Sequence, residues 1–211
     1  MRKTFFVLLF LLSVTVYSQE AVFSYGQNGG VVPSSANVEA FEYEDFQNIT
    51  PYLQRRQTVI SADQKYTVYQ RKYNNWDNNP GDYHVIEVMN ERGDLLYSLR
   101  NDDGWVWLDE TWGNAEGAPF YMERLDDRHV ILFFTGVTIM SQPPYFTALV
   151  IGDNQCRMVL NKPMCLNDIQ LDGGLFIKFQ RETTEYIDFG VQYNFPKEFT
   201  LFVKDGMLYI K

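Results

Sequence analysis

The residues best suited to chemistry are three tryptophans and four carboxylates that lie close together in the sequence. They are Asp102, Asp103, Trp105, Trp107, Asp109, Glu110 and Trp112. An exposed indole offers a flat apolar face to a sugar ring, and carboxylates accept hydrogen bonds from the sugar hydroxyls. This stretch therefore predicts a ligand-binding site formed by Trp105, Trp107, Asp109, Glu110 and Trp112.

Two other interpretations of the same stretch stay open. Paired carboxylates hydrolyse glycosides when their separation and pKa values suit the reaction. A carbohydrate-active hydrolase would use two of the four acids, Asp102, Asp103, Asp109 and Glu110. Alternatively, Trp105 and Trp107 lie on one face of a strand, and that face packs into the core, because tryptophan is usually highly buried.

Other catalytic and metal-binding motifs are missing from the sequence. The two histidines, His84 and His129, have no second histidine or cysteine at ligand spacing, so neither a zinc site nor a catalytic triad has support. There is no glycine-rich phosphate loop and no dinucleotide fingerprint. The sequence therefore predicts no metal and no cofactor, and favours a non-catalytic protein.

The first eighteen residues have the layout of a secretory signal. Two basic residues precede the apolar run Thr4 to Val16, and Val16 and Ser18 occupy the positions that a signal peptidase reads. The run is too short to span a bilayer. We expect a signal peptide over 1–18 and a protein that is periplasmic or secreted and does not span the membrane.

The charge excludes one class of partner. The chain carries a net charge of −9, which becomes −9 − 2 = −11 once Arg2 and Lys3 leave with the signal. So acidic a protein is a poor candidate for binding nucleic acid. The expected partner is a glycan or another protein of the cell envelope.

The two cysteines of the chain, Cys156 and Cys165, fit the expected export. An even count in an exported protein favours a disulfide, and this bridge would close a short loop. The alternative is a pair of buried thiols in the reduced state.

The rest of the chain reads as an antiparallel all-β protein. Short runs rich in aromatic and β-branched residues alternate with Asp, Asn, Gly and Pro, and aromatic residues make up 16% of the chain. Turn and linker residues dominate 19–35, which predicts a flexible, exposed lead-in. Residues 36–211 are expected to form a single domain.

That domain contains about three approximate repeats. Each begins with an acidic turn and a strand, near Tyr66, His129 and Leu175, and continues after an insert with a strand–turn–strand unit. The opening strands of the first two blocks are separated by 63 positions, from Tyr66 to His129. Small meanders of this kind cannot bury both faces alone, so they are expected to stack.

The acidic turns resemble the strand-opening turns of β-propeller blades, and the resemblance covers residues 61–211. Propellers usually close with about four to eight blades, whereas this chain supplies three blocks. The resemblance implies a propeller-like stack, as an incomplete ring or a ring completed by a dimer. A β-sandwich of stacked meanders is the alternative. The resemblance to propeller blades implies no catalytic chemistry, so the expected function is an exported non-catalytic binding or interaction module.

Overall fold

The computed structural model describes residues 20–25, 31–34, 38, 50–51, 53–74, 82–101, 105–107, 120–138, 145–163, 168–172, 176–180, 185–188, 191–194, 198–204 and 207–210. All regular secondary structure in these ranges is β-strand, which confirms the predicted all-β fold class. In chain order the strands are β1 (Glu20–Tyr25), β2 (Val31–Pro33), β3 (Leu53–Ser61), β4 (Gln64–Asn74), β5 (Asp82–Asn90), β6 (Leu95–Asn101), β7 (Trp105–Trp107), β8 (Tyr121–Arg124), β9 (His129–Thr138), β10 (Tyr145–Gly152), β11 (Gln155–Pro163), β12 (Asp168–Asp172), β13 (Phe176–Gln180), β14 (Glu185–Asp188), β15 (Val191–Asn194), β16 (Glu198–Lys204) and β17 (Met207–Ile210).

The strands form three antiparallel sheets, each built around a run of four strands. The first sheet has the order β3-β4-β5-β6. The second has β8-β9-β10-β11, with β7 pairing with β9 on the same side as β8. The third has β12-β13-β16-β17 and is extended by β1 and β2, while β14 and β15 pair as a separate hairpin.

The strands that open the three repeats hold equivalent positions in these sheets. β4, β9 and β13 are each the second strand of their run, and each is followed by a pair of strands that complete it. The third of these strands was predicted to begin near Leu175, and the described strand begins at Phe176. The strand order is therefore equivalent in the three runs, which are compatible with a blade-like arrangement. The three repeats themselves stay a prediction.

The second sheet is buried on both faces. Ile131 and Phe133 of β9 belong to a core shared with β1, β16 and β17 of the third sheet. Leu132 and Phe134, one residue on, belong to a core shared with the first sheet. Alternate side chains of one strand thus reach two cores, which explains the unbroken apolar run in β9. Each such side chain stabilises the fold by roughly 1.5–3 kcal/mol on full burial.

The N-terminal residues differ from the sequence prediction of an exposed lead-in over 19–35. β1 pairs with β17 in an antiparallel ladder, and β2 pairs with β1. Val22 and Phe23 are fully buried in the core between the second and third sheets. The prediction of exposure is wrong for β1, because burying its apolar residues against the third sheet stabilises the fold more than the nearby turn residues oppose it. Val32 of β2 is exposed, as predicted.

Several predictions concern residues that the structure does not describe. The expected signal peptide over 1–18 lies outside the described residues, as does Cys165. Cys156 lies on β11 in the core between the first and second sheets, and the bridge between the two cysteines stays a prediction. If Cys156 is reduced, burial raises the pKa of its thiol and leaves it unreactive. Within the described ranges, no helix is long and apolar enough to cross a membrane.

Candidate functional site

One of the two tryptophans predicted to stack on a sugar, Trp107, lies in the core. Trp107 is fully buried between the first and second sheets, because β7 pairs with the end of β9. Its indole N–H donates to the Thr147 hydroxyl at 3.1 Å, which satisfies the only polar atom of the side chain. The stacking role predicted for Trp107 is therefore wrong, and the alternative that its ring packs in the core is correct.

The other residues of that predicted site are not brought together by the described structure. Trp105 is described only as the first residue of β7. The remaining candidates lie outside the described residues; they are Asp102, Asp103, Asp109, Glu110 and Trp112. Their part in a site stays a prediction.

Trp107 also belongs to a buried polar chain. Its backbone N–H donates to Nδ1 of His84 at 3.1 Å, and its backbone carbonyl accepts from the Gln70 amide at 3.4 Å. On the other side, the Thr147 hydroxyl donates to Asn161 Oδ1 at 2.8 Å. These hydrogen bonds join the first and second sheets. Removing one partner would leave a buried polar atom unpaired, which costs free energy.

The burial of His84 predicts that the stability of the protein depends on pH. Burial lowers the pKa of His84 well below its ordinary value of 6.5, and the nearby Lys72 lowers it further. Because Nδ1 accepts the Trp107 N–H, the neutral ring carries its proton on Nε2, which has no hydrogen-bond partner among the described residues. Below the pKa that His84 has in the unfolded chain, the unfolded chain binds a proton that the folded protein does not bind. The contribution of neutral His84 to the free energy of unfolding is therefore fully present above pH 6.5 and is lost as the pH drops below that value.

We expect the melting temperature of the wild type to fall between about pH 7.5 and pH 5.5, and the fall to be smaller in His84→Gln. Glutamine keeps a polar acceptor near the Trp107 N–H but does not titrate. Thermal unfolding of both proteins across this range measures the difference. Parallel pH profiles would show that His84 is not the titrating group.

Polar groups of the two sheets meet again at the ends where the strands turn. The turns β3–β4 and β5–β6 of the first sheet lie beside the turns β8–β9 and β10–β11 of the second. Ser61 donates through its hydroxyl to the carbonyl of Arg128 at 2.6 Å. The Asn90 amide donates to Asn154 Oδ1 at 3.0 Å. These hydrogen bonds connect residues more than 60 positions apart in the chain and hold the four turns together.

A surface pocket of about 340 Å³ opens between these turns. Its lining combines amides, carboxylates, cations and one phenol; the residues are Asp63, Gln64, Lys65, Tyr66, Asn90, Glu91, Arg92 and Asn154. The volume lies at the lower end of the ~300–1,000 Å³ typical of small-molecule sites. We call it the turn pocket.

Hydrogen bonds fix the floor of the turn pocket. The backbone N–H of Asn154 donates both to Gln64 Oε1 and to the Tyr66 hydroxyl, each at 2.9 Å. Tyr66 in turn donates to Gln64 Oε1. Burial raises the pKa of Tyr66, so its hydroxyl remains protonated at neutral pH and acts as a hydrogen-bonding group.

Asn90 holds the wall that the first sheet contributes. Its Oδ1 accepts the backbone N–H of Arg92 at 3.0 Å and that of Asp94 at 2.9 Å. Its amide donates to the Asp94 carboxylate as well as to Asn154. The backbone of this turn is therefore fixed by Asn90 and by its hydrogen bond to Asn154 of the second sheet. Glu91 and Arg92 project from this fixed backbone.

A buried histidine supports the turns of the second sheet from below. His129 is 4% exposed, with Nδ1 at 3.1 Å from Asp126 Oδ1 and Nε2 at 3.2 Å from Asp153 Oδ2. Desolvation opposes the charge on Asp126, but hydrogen bonds from Arg128 and His129 outweigh it and lower the pKa of Asp126. The group clamps two turns together. In the part of the chain that the structure describes, no group of three or more His, Cys, Asp or Glu side chains is arranged to hold a metal ion.

Sequence reasoning missed the turn pocket, although one signal for it was present. Asn90 and Asn154 occupy the turn between the third and fourth strands of the first and second sheets, so alignment of the two sheets makes them equivalent positions. Comparison of the chain with family models, with curated proteins and with solved structures finds no match.

Proposed function

We propose that this protein is an exported, non-catalytic binding module whose ligand is a glycan and whose binding site is the turn pocket. One observation carries the proposal: amide side chains from two sheets line one pocket together with charged side chains, and hydrogen bonds fix the amides there before a ligand arrives. Preorganised polar groups lose little entropy on binding and so favour specific recognition.

The chemistry of the lining suits a ligand rich in hydroxyl groups. Each sugar hydroxyl both donates and accepts, and the amides of Gln64 and Asn154 can do the same. Glu91 adds acceptors at the rim, and Arg92 adds donors. The Tyr66 ring is only 1% exposed, so its phenol supplies a hydrogen bond and no stacking surface.

Such a site favours binding over hydrolysis. A glycosidase needs one acid that donates a proton and a second carboxylate on the other side of the bond. Both carboxylates of the pocket lining, Asp63 and Glu91, come from turns of the first sheet, and the second sheet contributes the amide of Asn154 and no carboxylate to the lining. The four carboxylates considered for a hydrolase lie outside the described residues.

The setting of the site is part of the same proposal. We propose that the three sheets stack as propeller-like blades, that Cys156 and Cys165 form a disulfide, and that removal of residues 1–18 releases the mature protein. The intact mass of the exported protein tests the last two points. It would correspond to a chain beginning at Gln19 that lacks two hydrogens, whereas a retained Met1 segment would indicate an anchor.

The test of the ligand is titration of the protein with a panel of neutral and acidic oligosaccharides. For an oligosaccharide that binds, Glu91→Ala is expected to weaken binding about tenfold, because a hydrogen bond to a charged group contributes about 1.5–3 kcal/mol. Asp127→Ala is the matched control, since Asp127 is an exposed acid in a neighbouring turn outside the turn pocket. Calorimetry measures the affinity, and analysis of the oligosaccharides after incubation detects any release of products.

Three results would contradict the proposal. Equal affinities of Glu91→Ala and the wild type would place the ligand elsewhere, and no binding by any oligosaccharide would exclude the ligand class. Release of shortened products would show that the protein is a hydrolase.

A further inference from the structure

The amides that line the turn pocket can donate and accept, but the hydrogen bonds they already make decide which capacity remains for a ligand. The Asn154 backbone N–H donates to Gln64 Oε1 at 2.9 Å, and the Tyr66 hydroxyl donates to the same oxygen. An amide oxygen has two lone pairs, so these two bonds fill it. Among the described residues, nothing bonds to the side-chain nitrogen of Gln64. Gln64 therefore offers a ligand two donors and no acceptor.

Asn154 also keeps donors for a ligand. A backbone N–H can only donate, so the atom of Asn90 that faces the N–H groups of Arg92 and Asp94, at 3.0 and 2.9 Å, is its oxygen. The nitrogen of Asn90 then donates to Asn154 Oδ1 at 3.0 Å. Within the described ranges, the Asn154 side-chain nitrogen has no partner. Like Gln64, Asn154 is exposed and lines the turn pocket, so its NH2 group can meet a ligand.

Two cations line the same pocket. Lys65 follows Gln64 in the chain, is exposed, and forms no ion pair in the part of the chain that the structure describes. Arg92 donates from Nε to Asp94 at 3.1 Å, which leaves both terminal nitrogens of its guanidinium for other acceptors. All of these unused groups are donors. A carboxylate suits them, because its two oxygens accept from several donors and its charge pairs with a cation.

The acids of the lining have a different use. Asp63 and Glu91 are exposed, and as carboxylates they only accept hydrogen bonds. Their charges are balanced within the lining by Lys65 and Arg92. The hydroxyl groups of a sugar ring can donate to both acids. A ligand that carries a carboxylate among several hydroxyl groups therefore matches both the donors and the acceptors of the turn pocket.

We propose that the glycan of the turn pocket is acidic, and that a uronic acid unit places its carboxylate against the NH2 groups of Gln64 and Asn154 and the ammonium of Lys65. The inference rests on the proposed function, because it names the class of glycan for the same site. A neutral sugar would offer these donors only hydroxyl oxygens, which form weaker hydrogen bonds than a carboxylate does. An acidic peptide would bring carboxylates but not the ring of hydroxyl groups that suits Asp63 and Glu91.

The test compares two probes that share one sugar ring. The first is trigalacturonate, and the second is its methyl ester, in which each carboxylate has become a neutral ester. Calorimetry with the full chain is expected to show about tenfold tighter binding of the free acid, because charge-assisted hydrogen bonds are about twice as strong as neutral ones. The ratio of the two affinities is the readout, since a general loss of structure weakens both probes and leaves their ratio unchanged.

Gln64→Glu and Asn154→Asp each replace an unused NH2 group with an oxygen and keep the oxygen that already accepts. Aspartate also tolerates the φ of 58° at Asn154. Both variants are expected to keep the melting temperature within a few degrees and to lower the ratio about tenfold, so that acid and ester bind alike. Gln155→Glu is the matched control, because it makes the same change at the next residue, which is exposed and outside the turn pocket. It is expected to keep the ratio of the wild type.

Equal binding of acid and ester by the wild type, or binding of neither, would overturn the assignment of an acidic glycan. The proposed function would survive that result if another oligosaccharide of the panel binds and Glu91→Ala weakens it, and would fall with it if none binds. A ratio that stays near ten in Gln64→Glu and Asn154→Asp would show that the carboxylate is recognised elsewhere. An equal fall of the ratio in Gln155→Glu would show that charge at a distance, and not contact in the turn pocket, selects the acid.

Discussion

Replacing Trp107 with alanine is expected to lower the free energy of unfolding by about 3–5 kcal/mol, as large aromatic deletions in a core do. The ring is fully buried where the first and second sheets meet, and alanine leaves a cavity there. Its backbone hydrogen bond to His84 survives, but the Thr147 hydroxyl loses the indole donor. Chemical denaturation of the wild type and the variant measures the loss.

Leu95→Ala serves as the control, because Leu95 is 54% exposed and its truncation should cost less than about 0.5 kcal/mol. Trp107→Phe separates packing from hydrogen bonding and is expected to fall between the control and Trp107→Ala. An unchanged unfolding free energy in Trp107→Ala would contradict the placement of this ring in the core. It would restore the idea that the ring stacks on a ligand.

Gly152→Ala is expected to destabilise the protein by about 3 kcal/mol, the upper end of the usual range for overpacking. A methyl group on Gly152 would lie 2.5 Å from Cδ2 of His129 and closer still to the backbone oxygen of Arg128. Neither neighbour can retreat easily, because His129 is held by Asp126 and Asp153. The same denaturation experiment measures the effect.

Gly93→Ala is the informative comparison for Gly152→Ala. Gly93 has φ +86° and no atom near its missing side chain, so alanine there meets only the conformational penalty, roughly 1–2 kcal/mol. Gly152→Ala should therefore be the more damaging change. Equal losses, or a harmless Gly152→Ala, would show that the turns of the second sheet are not clamped as tightly as the contacts around His129 require.

Much of the fold could be predicted because it follows from local patterns. The apolar run in β9 and the turn chemistry around Asp126 identify strands and their ends, and the spacing from Tyr66 to His129 predicts that β4 and β9 are equivalent strands. Equivalent residues then occupy equivalent strands. Patterns of this kind depend on neighbours in the chain, which the sequence displays directly.

What could not be predicted depends on which surfaces meet. Alternation in β7 places Trp105 and Trp107 on one face, but it does not say whether that face meets another sheet or water. The turn residues around β1 concealed a strand that pairs with β17 at the far end of the chain. The turn pocket likewise needs Asn90 and Asn154 to be neighbours, which only the stacking of two sheets provides.

The most direct measurement of the proposed binding site is an amide NMR titration of the whole protein with the oligosaccharide that binds most tightly in the panel. Saturable shifts are expected for the Asn154 backbone amide and for the side-chain amides of Gln64 and Asn90, which line the turn pocket. No shift is expected at Thr58, an exposed residue of β3 outside the turn pocket. Shifts confined to other residues, with these amides unmoved at saturation, would contradict the assignment of the turn pocket as the glycan site.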